Sequence, residues 1–190
     1  MNHIFEIIKK SIVVSILTTM LFSCTNDSKE VRDFLAEKNL PISVAKNAFH
    51  VYKDSGRITS KLITPLLNDY SNRKNHPYNE FPKGVEIVNF ENGGKDSITI
   101  FGDYALSYSK TLISELKGNV VVINHTEKTR LETSQLFWDQ KNKYFFSEMS
   151  FVLMTPTDTF QGVGFESKED LSKRVIKKLT GEIITNGEEL

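Results

Sequence analysis

Gly102-Asp103-Tyr104-Ala105-Leu106-Ser107-Tyr108 opens a segment that runs on to Gly118-Asn119-Val120-Val121-Val122-Ile123. At an offset of 31, Thr133-Ser134-Gln135-Leu136-Phe137-Trp138-Asp139 opens a second, which runs to Met149-Ser150-Phe151-Val152-Leu153-Met154. The two align without a gap. Few residues are identical, but the apolar positions coincide. Gln161-Gly162-Val163-Gly164-Phe165-Glu166 begins a third copy. A repeat of this length means stacked units, each burying a face against its neighbour. The alternating apolar and polar residues make the units strands rather than helices.

The sequence on the N-terminal side reads the same way. Asp54-Ser55-Gly56 is a turn between Phe49-His50-Val51-Tyr52 and Arg57-Ile58-Thr59. Asn92-Gly93-Gly94-Lys95 is another, between strands 85–90 and 97–101. Polar breaks recur at 109–111, 125–128, 140–143 and 156–158. Evenly spaced short strands predict an all-β domain: a sandwich, a barrel or a stacked roll. The 13 phenylalanines of the chain favour strands as well. Side chains alternate along a strand, so Leu112, Leu116, Val120 and Val122 share one face. Ile100, Leu106, Leu131 and Phe137 share another. Together with Phe145, Phe151 and Leu153 these are the candidate interior positions.

The two ends differ from this middle. Ser167-Lys168-Glu169-Asp170 has the spacing of a helix start, and Leu171, Val175 and Leu179 recur every four residues before Gly181. This predicts a short amphipathic helix over 169–180, to cap the sheet or to face a partner or membrane surface. Residues 25–47 read as a tether and lead-in, in which 27–39 form a short helix or stay loose and Pro41 stops any helix. At the N-terminus, Lys9-Lys10 precedes the apolar run Ser11–Phe22, and polar residues follow, the layout of a secretory signal. The run is well short of the ~20 residues of a membrane-spanning helix. The sequence thus divides into a signal (1–23), a tether (24–47), a β domain (48–166) and a helical tail (167–190).

Leu21-Phe22-Ser23-Cys24 resembles the lipobox of bacterial lipoproteins, and Cys24 is the single cysteine of the chain. The resemblance implies that Cys24 is acylated and becomes the first residue of a mature chain. No thiol then remains for a disulfide or a cysteine metal site. Basic and acidic residues balance at 24 each, which speaks against nucleic acid as a partner. His3, His50, His76 and His125 are scattered without metal spacing. Gly162-Val163-Gly164 lacks the third glycine of a dinucleotide site. The chain shows no nucleophile elbow and no phosphate loop, and no reason to pair Asp69, Asp103 or Asp139. The sequence therefore predicts no enzyme, no cofactor and no metal.

Gly118-Asn119-Val120, then Leu131-Glu132-Thr133, Leu136-x-Trp138-Asp139 and Gly162-Val163-Gly164-Phe165 resemble, in that order, the LptC family and its OstA-like relatives. Asn72-Arg73-Lys74-x-His76-Pro77-Tyr78 and Phe81-Pro82-Lys83-Gly84 extend the resemblance to the branch that carries a lipobox. The resemblance implies an open, twisted β-jellyroll of two antiparallel sheets. It implies a non-catalytic carrier that takes lipopolysaccharide from an inner-membrane ABC transporter across the periplasm. Its partners would be lipopolysaccharide, LptF/LptG-type transporter subunits and an LptA-like bridge protein, with the Cys24 lipid holding a membrane. On the face assignment above, the lipid-binding groove would be lined by Ile100, Leu106, Val120, Val122, Phe137, Phe145, Phe151 and Leu153. Gly118, Gly162 and Gly164 would serve as edge or turn glycines. The incoming side would lie at Ala48–Lys53 and the outgoing side at 151–166, by strand addition. The competing class is a lipid-anchored structural, adhesion or glycan-binding module with a filled core, using Tyr78, Tyr108 and Trp138 to stack on sugars.

Overall fold

The computed structural model describes residues 28–180 and 184–185. Cys24 and the signal segment lie outside the described residues. One helix, α1 (Ser28–Glu37), precedes twelve strands: β1 (Ser43–Asp54), β2 (Arg57–Tyr70), β3 (Tyr78–Phe81), β4 (Val85–Glu91), β5 (Asp96–Gly102), β6 (Tyr104–Tyr108), β7 (Ile113–Asn124), β8 (Thr129–Asp139), β9 (Tyr144–Met154), β10 (Asp158–Lys168), β11 (Arg174–Leu179) and β12 (Ile184–Thr185). The turns fall at the polar breaks. Between β1 and β2, Ser55 and Gly56 both take positive φ, at 49° and 79°. That is the two-residue turn whose twist matches the flanking strands.

All pairings are antiparallel, and the strands form one continuous sheet rather than two. Its layout follows from strand length. β2 pairs β4 through Ser60–Ile63 and β3 through Asn68–Tyr70. β7 likewise pairs β6 through Ile113–Lys117 and β5 through Val121–Asn124. β2 and β7 thus each span two short strands laid end to end, as β10 spans β11 and β12, so the sheet is a stack of rungs. The inner rungs are irregular midway. The short strands break at 82–84 and at Asp103. The ladder shifts register between Lys117 and Val120, between Thr133 and Phe137, and between Val163 and Phe165. Bulges bend strands, and here they line up into a crease that divides the sheet into two arms.

The sequence repeat is the spacing of this crease. Gly102, Thr133 and Gly164, 31 residues apart, all sit on it. Hydroxyls satisfy backbone groups that the irregular ladder frees there. Thr64 Oγ1 donates to the Gly84 carbonyl at 2.8 Å, Thr133 Oγ1 to that of Ser150 at 2.9 Å and Ser147 Oγ to that of Gln135 at 2.7 Å. The arms close on a single core. Ile100, Val122, Leu131 and Leu153 of the first arm share it with Leu116, Leu136, Phe145 and Phe165 of the second.

The predicted C-terminal helix is absent: 169–173 turn, and β11 pairs β10 from Gly162↔Leu179 to Ser167↔Arg174. Ser167, which reads as a helix cap, is a fully buried residue of β10. The spacing of Leu171, Val175 and Leu179 mimics a helical face. Leu171 instead drops into the core, while Val175 and Leu179 lie exposed on an edge strand. The only α-helix among the described residues is α1, in the lead-in. Sheet pairing begins at Ser43, inside that lead-in.

Candidate functional site

Between the arms, toward the N-terminal end of the stack, lies a cavity of about 470 Å³. Leu62, Val85 and Ile87 line it from the first arm, and Phe81, Ala105, Leu116 and Trp138 from the second. These are the inward positions of β2, β4, β3, β6, β7 and β8; alternation with polar residues marks Val85, Ile87 and Leu116, whose neighbours are Glu86, Glu115 and Lys117. The size is in the range of small-molecule sites, about 300–1,000 Å³. The mouth is polar, with Asn79, Asn89, Gln140, Lys143 and Glu169 around it. At its wall Gln140 Nε2 donates to Ser114 Oγ at 2.7 Å, which bonds Ser107 Oγ at 3.0 Å.

Hydrogen bonds hold the mouth shut from arm to arm. Lys143 Nζ, near the tip of the second arm, donates to Glu91 Oε1 of the first at 2.6 Å. Asn89 Nδ2 donates to Glu169 Oε1 at 2.5 Å, and Asn124 Nδ2 to the Asp170 carbonyl at 2.7 Å. The turn that carries Glu169 is itself tied to the second arm, because Glu169 N donates to the Lys143 carbonyl at 2.9 Å. Next to it, Leu171 is buried between the arms. Burial pushes the Glu169 carboxyl up from its ordinary range, against the opposing pull of Asn89 and Lys143. Lys143 is held above its usual range, first by its bond to Glu91. Trp138 Nε1 is buried without a hydrogen bond of standard geometry, although its N–H still helps to hold the Glu169 carboxyl down.

The predicted groove residues divide. Ile100, Val120, Val122, Phe145, Phe151 and Leu153 all point inward, each at most 3 % exposed. They belong to the core beside this cavity and do not line it, while Val120 and Phe151, with Gly162, border a second pocket. Leu106 and Phe137 are on the outer face. Leu106 pairs with Glu80 and Glu115, and Phe137 stacks on Phe146 with ring centroids 5.1 Å apart. The crease is the reason. The break at Asp103 and the bulge after Thr133 each move the chain by one position, which exchanges the faces of a strand. Inward positions therefore pass from Ile100 to Ala105 and from Leu131 to Leu136. Leu112 falls in a turn, 43 % exposed.

Gly118 sits on the crease with φ +71°, where an added Cβ would lie 3.0 Å from the Asp103 side chain. Gly162 and Gly164 belong to β10, which is not an edge, since β9 covers one side and β11 and β12 the other. Among the described residues the free edges are those of β1, β11 and β12, so the segment 151–166 expected to carry a sheet edge is covered and the edge lies beyond it. Trp138 is buried and does not offer its face to a sugar; Tyr78 and Tyr108 are half-buried in a row with Tyr70. None of the lining residues is among the predicted groove residues: Leu62, Phe81, Val85, Ile87 and Ala105 have no assignment in the sequence reading, Leu116 is there an interior position only, and Trp138 a sugar-stacking one. The alternation of Val85 and Ile87 within a recognised strand was the available signal.

No curated protein matches this chain significantly. A family model described as lipopolysaccharide assembly, LptC-related, matches residues 12–180. With that match over nearly its whole length, the chain belongs to the LptC-related family.

Proposed function

We propose that the chain is a non-catalytic carrier that takes lipopolysaccharide from an inner-membrane ABC transporter across the periplasm, with acyl chains held between the two arms. Membership in the LptC-related family implies a role in lipopolysaccharide assembly or transport, an envelope location and partners in that machinery. The observation that carries the finer reading is the cavity between the arms, apolar within and polar at its mouth. Burying an acyl chain is worth about 0.8 kcal/mol per methylene. An apolar space can therefore hold a lipid in water without chemistry of its own, while sugars stay among Asn79, Asn89, Gln140 and Lys143.

On this reading the folded sheet works as an open jellyroll. Lipid enters at the cavity and moves toward β10 only when the arms part. Ile100, Val120, Val122, Phe145, Phe151 and Leu153 then become lining, and the bonds of Glu169 and Lys143 must break. The acylated Cys24 holds the chain to the inner membrane. The β1 edge faces LptF/LptG-type subunits and the β11 edge an LptA-like bridge protein, each by strand addition. A photo-crosslinking residue at Ile87 should trap lipopolysaccharide in cells, and one at outward-facing Phe101 should not. Adducts at Phe101 alone would overturn the assignment.

The close packing from β8 to β10 favours a second reading, a lipid-anchored structural or adhesion module with a filled core. On that reading no inward position yields a lipid adduct, and depletion leaves lipopolysaccharide export intact.

A further inference from the structure

The helix α1 is fixed in place, yet none of its side chains is buried. Its C-terminal end is bound to the loop after β2. Arg73 Nη1 donates to the Ala36 carbonyl at 2.5 Å, Arg73 Nη2 to Asn39 Oδ1 at 2.6 Å and Asn72 Nδ2 to the Leu40 carbonyl at 3.3 Å. Asp33, Leu35 and Ala36 are its partly covered residues. Val31 and Phe34 are left 49 % and 55 % exposed, one turn apart. The chain that follows adds exposed Leu40, Ile42 and Val44. Five large apolar side chains within 14 residues stand exposed on α1, the link after it and the start of β1. Such a concentration marks a surface that meets something else.

The sequence just upstream says what. On the lipoprotein reading residues 1–23 are removed and Cys24 carries the lipid, so only residues 25–27 separate α1 from the anchor. Three residues span at most about 11 Å, so α1 cannot leave the vicinity of the membrane that holds the Cys24 lipid. Lys29, Arg32 and Lys38 balance Glu30, Asp33 and Glu37. The segment has no net charge to draw it to an anionic surface, so its contact depends on the apolar side chains and the tether. A short tether makes a weak contact effective by holding it at high local concentration.

We infer that α1 lies on the bilayer surface, with Val31 and Phe34 inserted at the lipid interface. It thereby sets the orientation of the folded sheet to the membrane. The inference rests on reading Cys24 as an acylated membrane anchor, and is independent of whether the cavity holds lipid. The test uses the mature chain acylated at Cys24 in vesicles of phosphatidylethanolamine and phosphatidylglycerol. An environment-sensitive fluorophore is placed on Phe34→Cys or Val31→Cys, with Lys95→Cys in the β4–β5 turn as the reference. Bilayer-embedded spin-labelled lipid should quench positions 31 and 34 several-fold more than position 95. Equal quenching of vesicle-bound protein would overturn the inference, as would crosslinks from position 34 to protein instead of lipid. Failure to float with the vesicles would overturn it through the attachment reading. The Ile87 crosslink tests the carrier reading separately.

Discussion

Glu169 carries a carboxylate into the mouth of the cavity, and its proton is the most informative one in the molecule. Its folded pKa lies above the ordinary value because burial disfavours the charge. The folded state then binds this proton more tightly than the unfolded state does. The contribution is most favourable below pH 4.5, declines as pH rises through 4.5 to the folded pKa, and is flat above it. Glu169→Gln keeps an acceptor for Asn89 and removes the buried charge. Urea titrations over a pH series should show the variant more stable at neutral pH and lacking this decline. Identical pH slopes would mean that the carboxylate is well solvated. At Gly118, an alanine must adopt φ +71° against the Asp103 side chain. Gly118→Ala should destabilise by more than about 1 kcal/mol in denaturant unfolding, while an alanine at the unhindered surface position Ser109 should change little.

At the scale of the element, legibility depended on whether local and tertiary preferences agreed. The hairpins 49–59 and 85–101 were readable because turn chemistry and alternation pointed the same way. The tail was not readable. Leu171, Val175 and Leu179 fit a helical period, and only pairing with β10 makes 174–179 a strand. β1 is an edge strand with Phe49 60 % exposed and Tyr52 53 % exposed, an arrangement open to strand addition. Phe49→Lys should leave stability within about 0.5 kcal/mol. It should reduce the copurification of a strand-adding partner, measured by pull-down from crosslinked membranes. Unchanged recovery would remove β1 as the docking edge.

For the whole molecule, the crease decides which side chains meet. Phe145 and Phe137 are equally aromatic in the sequence and sit on neighbouring strands. Phe145 is fully buried between the arms, while Phe137 stacks on Phe146 outside. Phe145→Ala should cost about 3–5 kcal/mol and Phe137→Ala clearly less, read from unfolding midpoints. Equal costs would contradict the exchange of faces at the crease. The sequence by itself determined the strand content, the positions of the turns, the 31-residue spacing and the family, because these depend on local residue chemistry and order. The tertiary structure alone decided that the strands join in one folded sheet, that the tail pairs as an edge, and that open space gathers beside Val85 and Ile87. Each of these depends on where bulges bend the ladder and on which distant strands close against each other, and no local period encodes that.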